Sequence, residues 1–125
     1  MNKKFYICKH CGNLVEMINS SGAKMICCGS EMTLLEPHSV EASIEKHVPI
    51  VSVINDKVIV EVGSISHPML PEHFIQWIYL ETDKGCHRMH LNAGEVPVAT
   101  FKLYDEKPIA AYEYCNIHGL WKREI

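Results

Sequence analysis

Four cysteines near the start of the chain limit what that part of the protein can fold into. The stretch "CKHC" places Cys8 and Cys11 in a C-x-x-C knuckle, and the pair "CC" adds Cys27 and Cys28. A segment of fewer than about 40 residues rarely buries enough apolar surface to fold alone, so a metal ion or a disulfide usually holds it together. Disulfides are rare in a reducing cytosol, where clustered cysteines more often bind metal. The four thiolates therefore predict a metal site.

The spacing of these cysteines does not choose the metal. Four thiolates in a tetrahedron suit zinc or iron. The second pair departs from a regular C-x-x-C ribbon because Cys27 and Cys28 are adjacent, and their side chains start out pointing in different directions. We expect a distorted tetrahedron, which would matter little to zinc and could change the potential of an iron centre. Iron and zinc both remain open. His10, inside the knuckle, is expected to face solvent.

The rest of the chain has a different residue pattern, with alternating apolar and polar positions. Pro37 marks a plausible boundary between a small domain, residues 1–36, and a larger domain, residues 37–125. Val58, Val60 and Val62 alternate with more polar positions, which is the period of a half-buried strand. The larger domain is therefore predicted to be an antiparallel β-sandwich. Its other strands are expected in the segments "HVPIVSVI", "HFIQWIYLETD", "VPVATFKLYD", "IAAYEYCN" and "GLWKREI". Only "SVEASIEKH" could form a turn or two of helix.

Composition excludes several classes of function. The net charge of −3 and a pI near 6.2 argue against a nucleic-acid-binding surface. No apolar run approaches the roughly 20 residues that span a membrane. The N-terminus carries two lysines but no apolar signal-peptide core, so we expect a cytoplasmic protein.

A second set of metal-ligating residue types lies in the larger domain. His47 precedes a predicted strand, His67 and His73 flank a loop stiffened by prolines, and Cys115 and His118 end another strand. A single histidine in a β domain is usually an ordinary surface or hydrogen-bonded residue. Together, however, these five residues could meet at one end of a sandwich. They are the candidate ligands of a second metal.

The motifs "CKHCG", "CCG", "EKHVP", "SHPM…EHFIQWI" and "YCNIHGLW" resemble those of the desulfoferrodoxins, the two-iron superoxide reductases. The resemblance runs across nearly the whole chain, with the motifs in the family's order. It implies a desulforedoxin-like N-terminal fold and an immunoglobulin-like catalytic sandwich. It also implies two irons per chain. The first would be bound by Cys8, Cys11, Cys27 and Cys28; the catalytic iron would be bound by His47, His67, His73 and His118 in a plane, with Cys115 as the axial ligand and the sixth position open.

The same resemblance implies an activity and partners. The chain would reduce superoxide to hydrogen peroxide without producing O2, and so serve detoxification under oxidative stress. Lys46 would attract superoxide and orient a water, and Glu45 would close the sixth position in the ferric state. Rubredoxin would be the electron donor, and the protein would be a homodimer. Tyr114 and Trp121 are expected either to tune the thiolate or simply to belong to the core.

Other residues and functions remain as alternatives. Cys86 is expected to be a free, partly buried thiol, and His38, His87 and His90 have no assigned role; "CHRMH" is predicted to be a solvated strand or loop. The main rival function is a non-catalytic electron carrier or a zinc-stapled metal-binding protein. A second rival is an enzyme that dismutates superoxide, which would also have to oxidise it to O2.

Overall fold

The computed structural model describes residues 3–39, 47–63 and 67–125. Contacts between Cα atoms divide the chain into two compact units, Met1–Glu36 and Pro37–Ile125. The segment 39–47, which from the sequence could form at most a turn or two of helix, falls almost entirely outside the described residues, as do Glu45 and Lys46. The described residues form strands and turns, so the all-β prediction is confirmed.

The first unit is built from short antiparallel strands. Strand β1 lies at the centre of a three-stranded sheet of order β2–β1–β5, and β3 pairs with β4 in a separate two-stranded hairpin. The strands span Lys4–Ile7 (β1), Leu14–Met17 (β2), Ile26–Cys27 (β3), Ser30–Glu31 (β4) and Thr33–Leu34 (β5). Strands of two to four residues bury little surface, as expected of a fold that depends on a metal.

The second unit consists of two antiparallel sheets. One has the order β10–β7–β6 and the other the order β12–β11–β8–β9. The strands span Pro49–Ile54 (β6), Lys57–Val62 (β7), Ile75–Thr82 (β8), Gly85–His90 (β9), Val98–Lys102 (β10), Pro108–Cys115 (β11) and Gly119–Glu124 (β12). This arrangement confirms the predicted antiparallel sandwich, and it adds β9 to the six strands expected from the sequence.

The core of the sandwich lies between the inner faces of the two sheets. Val58, Val60 and Val62 are at most 1% exposed, so the alternation read from the sequence is confirmed. They belong to one apolar cluster with Ile78 and Leu80 of β8 and with further residues of both sheets. Cys115 is part of the same cluster. The side chain at the end of β11 is therefore packed within the buried core.

Tight turns fix the register of the strands. Asn55 and Asp56 connect β6 to β7, and Asn55 has a φ of 55°. Left-handed residues give a two-residue hairpin the twist that its flanking strands need. The Asn-Asp turn predicted from the sequence is therefore confirmed.

Strand β9 lies at the edge of the four-stranded sheet and contains the "CHRMH" segment. Cys86 is exposed, so the expectation of a partly buried thiol is wrong. Its register partner is Glu81 of β8. Because β9 has a neighbour on one side only, its residues gain less cover than those of the inner strands. Among the described residues, no helix has the length and apolar character required to cross a membrane.

Candidate metal centres

The first candidate centre begins with a knuckle between β1 and β2. The backbone amide of Cys8 donates to the carbonyl of Asn13 at 2.8 Å, and the amide of Gly12 donates to the carbonyl of Cys8 at the same distance. Gly12 has a φ of 82°, which glycine adopts without steric cost. This closed turn presents Cys8 and Cys11 on one side of the loop.

The adjacent cysteines lie on the opposite hairpin. Cys27 ends β3, and Cys28 and Gly29 form the two-residue turn before β4. Both turn residues have positive φ, 52° for Cys28 and 74° for Gly29. The left-handed backbone at Cys28 is what allows two neighbouring thiols to converge. Cys8, Cys11, Cys27 and Cys28 each offer a sulfur, and all these atoms lie within 4.8 Å of one another.

Four thiols this close need a cation if all are to ionise. The sulfurs of Cys11 and Cys27 are 3.6 Å apart, and the Asn13 side-chain amide donates to the sulfur of Cys27 at 3.6 Å. Hydrogen bonding by the backbone amide of Cys11 lowers the pKa of Cys8 to about 6. Hydrogen bonds to the neighbouring sulfurs of Cys11 and Cys8 raise the pKa of Cys28 to about 12. The donor set fits a thiophilic metal such as iron or zinc, which would neutralise the repulsion between thiolates.

The second candidate centre gathers residues from four parts of the second unit. His47 lies two residues before β6, and His67 and His73 precede β8. Cys115 is the last residue of β11, and His118 lies in the three-residue loop between β11 and β12. One potential ligand atom from each residue lies within 4.8 Å of all the others. The five candidates from the sequence are thus brought together.

The four imidazoles form a closed ring of edge contacts. Ring centroids are 4.7 Å apart for His47 and His67, 4.7 Å for His67 and His73, 5.0 Å for His73 and His118, and 4.6 Å for His118 and His47. Nε2 of His47 lies 2.9 Å from Nδ1 of His118. Two nitrogens bound at about 2.1 Å and at right angles would be about 3 Å apart. The four imidazoles therefore form a closed ring with nearly equal centroid distances, and the His47–His118 nitrogen pair has the spacing of two neighbouring ligands on one metal.

Two nitrogens in this ring of imidazoles are buried without a hydrogen bond. Nε2 of His67 and Nε2 of His73 have no hydrogen-bond partner among the described residues. Nδ1 of His67 faces the carbonyl oxygen of Pro68 at 2.7 Å, which favours the tautomer with Nε2 free to bind. Burial lowers the pKa of His67 to about 4. A neutral imidazole with an unsatisfied, inward-facing nitrogen is the state that a metal requires.

The fifth donor differs from the imidazoles in its surroundings. Cys115 is completely buried, and its sulfur lies 3.8 Å from Nδ1 of His118. Burial raises the pKa of the Cys115 thiol, although hydrogen bonding by the backbone amides of His118 and Ile117 opposes this rise. A bound cation would be needed to keep this sulfur ionised at neutral pH. His118, by contrast, is exposed. The centre therefore has a dry sulfur and an imidazole that solvent can reach.

Two residues of this region contact the candidate ligands or their neighbours but are not themselves candidate metal ligands. The Trp121 ring stacks on His47 with centroids 4.9 Å apart and an interplanar angle of 17°, and its Nε1 donates to the carbonyl of His118 at 3.1 Å. Asn116 hydrogen-bonds to the backbone on both sides of His73. The sequence offered only a core or tuning role for Trp121 and none for Asn116. No local pattern indicated this role, because the partners of Asn116 lie more than forty residues away in the sequence.

The remaining histidines belong to neither metal-ligating group. His38 contacts the Trp121 ring at 4.9 Å, and His87 lies 2.9 Å from a carboxylate oxygen of Glu106. His10 and His90 are exposed. Within residues 3–39, 47–63 and 67–125, the four-cysteine and the histidine–thiolate groups are the two clusters with metal-ligating geometry.

Comparison with known proteins assigns the family. The desulfoferrodoxin family model matches residues 39–124, and the model of the desulfoferrodoxin N-terminal domain matches residues 2–35. The chain belongs to the desulfoferrodoxin family. A desulfoferrodoxin from Syntrophotalea carbinolica is 46% identical over 119 residues, which cover 95% of this chain and 94% of the relative.

Two solved structures extend this result. The superoxide reductase from Treponema pallidum matches with a TM-score of 0.85 and 34% identity, covering 98% of both chains. The reduced neelaredoxin superoxide reductase from Archaeoglobus fulgidus matches with a TM-score of 0.58 and 32% identity, covering 71% of this chain and 95% of its own. These similarities support the desulforedoxin-like and sandwich folds expected of a desulfoferrodoxin.

Proposed function

We propose that this chain is a superoxide reductase that converts superoxide to hydrogen peroxide. The reaction consumes one electron and two protons: O2•− + e− + 2H+ → H2O2. The observation that carries the proposal is the closed ring of four imidazoles next to a buried thiol in a desulfoferrodoxin chain. Iron bound by His47, His67, His73, His118 and Cys115 would supply one-electron chemistry and a position for a small anion.

The ligand residues suit this reaction through their charge and exposure. Neutral imidazoles leave the positive charge of a bound metal only partly compensated, since Cys115 alone contributes a negative charge. An anionic substrate is therefore attracted to the centre. The exposed edge at His118 lets water approach and supply protons, whereas the buried sulfur of Cys115 stays away from oxidants and solvent.

We propose separate roles for the two charged residues before His47. Lys46 would attract superoxide and orient a water that donates a proton, and Glu45 would occupy the open position of the ferric centre. Both assignments rest on sequence position and family resemblance. We expect Lys46→Ala to slow superoxide capture and to flatten its dependence on ionic strength, because a steering charge is screened by salt. Pulse radiolysis at several salt concentrations measures both quantities. An unchanged rate with unchanged salt dependence would show that Lys46 does not steer the substrate.

The first centre would hold a second iron. We propose that residues 1–36 form a desulforedoxin-like domain in which Cys8, Cys11, Cys27 and Cys28 bind this iron, and that residues 37–125 form the catalytic domain. The closeness of the four sulfurs and the match of the N-terminal family model support this division. Zinc would satisfy the same ligands, so metal analysis of protein isolated without added metal distinguishes the two.

The partners and the compartment are inferences from the family. We propose that a rubredoxin or a similar small iron protein donates the electron, that the protein is a homodimer, and that it functions in the cytoplasm. Stopped-flow reduction by purified rubredoxin, together with light scattering to determine the mass in solution, tests the first two points directly.

An anaerobic superoxide pulse tests the main proposal. The protein is loaded with iron and reduced, and peroxide and O2 are then measured after a pulse that is substoichiometric to the catalytic iron. We expect one peroxide per superoxide and no O2 from the protein reaction. One peroxide and one O2 per two superoxides would instead indicate a dismutase. A single metal per chain and no reaction would indicate the non-catalytic alternative.

A further inference from the structure

Asn116 makes an unusual set of contacts for a residue in a three-residue loop. It directly follows Cys115, and its side chain reaches the segment that carries His73. The side-chain amide donates to the carbonyl of Glu72 at 3.0 Å, and the side-chain oxygen accepts from the backbone amide of Phe74 at 3.0 Å. The backbone amide of Asn116 also donates to the carbonyl of Phe74 at 3.3 Å. One residue therefore holds the backbone on both sides of His73.

The backbone groups of His73 itself are already used. Its amide donates to the carbonyl of Leu70 at 3.1 Å, and its carbonyl accepts from the amide of Leu70 at 2.9 Å. This small bridge fixes the local shape of the loop but does not tie it to β11. The hydrogen bonds of Asn116 make that connection. They start where regular pairing between β11 and β8 ends, at the pair formed by Cys115 and Ile75.

The hydrogen bonds of Asn116 to Glu72 and Phe74 form a clamp that connects two ligand-bearing segments of the metal centre. Cys115 and His73 are two of the five donors; Cys115 ends β11, and His73 lies in the loop before β8. Asn116 is covalently attached to Cys115 and hydrogen-bonded to both neighbours of His73, so it sets the distance between the two ligand-bearing backbones. Hydrogen-bonding groups that orient ligands commonly affect metal affinity by about 10-fold to 100-fold.

We propose that Asn116 is a positioning residue of the histidine–thiolate centre, which holds the His73 loop in register with Cys115. This inference rests on the metal assignment in the proposed function. It requires a side chain that is both a donor and an acceptor, because the carbonyl of Glu72 and the amide of Phe74 need opposite partners. Among side chains of this size, asparagine meets that requirement, and aspartate at neutral pH offers acceptors only.

Graded variants separate this role from a general effect on folding. Asn116→Asp keeps an acceptor for Phe74 and loses the donor to Glu72, whereas Asn116→Ala loses both side-chain bonds. Asn92→Ala is the matched control, because Asn92 is also exposed in the same unit and its hydrogen bond to Glu95 is made by its backbone amide. The full chain is loaded with zinc as a redox-silent probe, and zinc is then withdrawn from each centre by a chelator of known affinity.

We expect Asn116→Ala to weaken zinc binding at the histidine–thiolate centre by about 10-fold to 100-fold. Asn116→Asp should fall between Asn116→Ala and the parent, and Asn92→Ala should match the parent. Zinc release from the four-cysteine centre should be unchanged in all variants. In the iron form, the visible band of the ferric histidine–thiolate centre should shift in the same order, because the geometry around His73 changes.

The inference is overturned if Asn116→Ala and Asn116→Asp keep the parent's zinc affinity and ferric spectrum, even if their melting temperatures fall. That result would mean a purely structural role. If Asn116→Ala does not fold, the comparison of Asn116→Asp with the parent decides. The outcome is independent of the activity assay: absence of peroxide from the parent protein would remove the proposed reaction, whereas unchanged affinity in the variants would remove only the role of Asn116.

Discussion

Replacing one sulfur of the four-cysteine centre tests whether a metal holds the first unit together. The change is Cys28→Ser, at an exposed position in the turn between β3 and β4. Serine is close to cysteine in size and can occupy the same turn. The substitution therefore removes a thiolate ligand and changes little else. We expect the first unit to open far more often while the second unit remains folded.

The magnitude follows from how little apolar surface the first unit buries. Among residues 3–36, Phe5 and Met32 are the buried side chains other than cysteine. Together they contribute about 3–6 kcal/mol. A structural metal contributes about 10–16 kcal/mol in small zinc-binding peptides, so one ligand in four accounts for about 2.5–4 kcal/mol. A loss of this size accelerates exchange of the backbone amides in β1 and β2 by about 100-fold to 1000-fold.

Hydrogen exchange followed by mass spectrometry measures the two units separately in the same sample. Cys86→Ser is the control, because Cys86 is an exposed cysteine in β9 and belongs to neither metal-ligating group. It should leave exchange in the first unit unchanged. Acceleration of less than about 10-fold in β1 and β2 of Cys28→Ser would refute the reasoning, since the remaining packing would then suffice to hold the unit.

Two further predictions concern residues around the second centre and at the opposite end of its sheet. Trp121→Phe keeps an aromatic ring but loses the hydrogen bond to the carbonyl of His118. We therefore expect urea denaturation to show a loss of about 1 kcal/mol in unfolding free energy. No loss would mean that water replaces the indole N–H as the donor to this carbonyl. Glu106 has a lowered pKa because it accepts hydrogen bonds from Thr82 and from His87. Its contribution to stability is present above its unfolded-state pKa and is lost as pH falls through the lower folded-state pKa. Glu106→Gln should therefore flatten the loss of stability as pH falls below the ordinary glutamate pKa of 4.5. A variant with the parent's full acid dependence would contradict this assignment.

Much of the fold follows from local patterns in the sequence. The alternation of Val58, Val60 and Val62 predicted a half-buried strand, and the structure places all three in the core. The Asn-Asp pair predicted the turn before that strand, and the left-handed φ of Asn55 explains it. Such features depend on a few neighbouring residues, so they are readable without knowledge of the rest of the chain.

The arrangement of the candidate centres was only partly predictable. Residue type and spacing identified the candidate ligands, but no local pattern explained how adjacent cysteines could share a metal. The left-handed backbone of Cys28 supplies that reason, and such a conformation is rare outside glycine. The clamp by Asn116 spans more than forty residues, so no local pattern could show it. Cys86 was misjudged because the burial of an edge-strand residue depends on which strands become neighbours.

The loop between Cys115 and Gly119 has a consequence for how this protein can change over time. It holds three residues. Gly119 follows them with a φ of 85° and is the register partner of Cys115. Adding or deleting one residue there would rotate His118 away from the other imidazoles and break the hairpin at once. Insertions and deletions should therefore be purged from these few positions during evolution and accumulate in other connections. An engineer who wishes to graft a tag or a sensor module onto the scaffold should likewise leave this turn untouched.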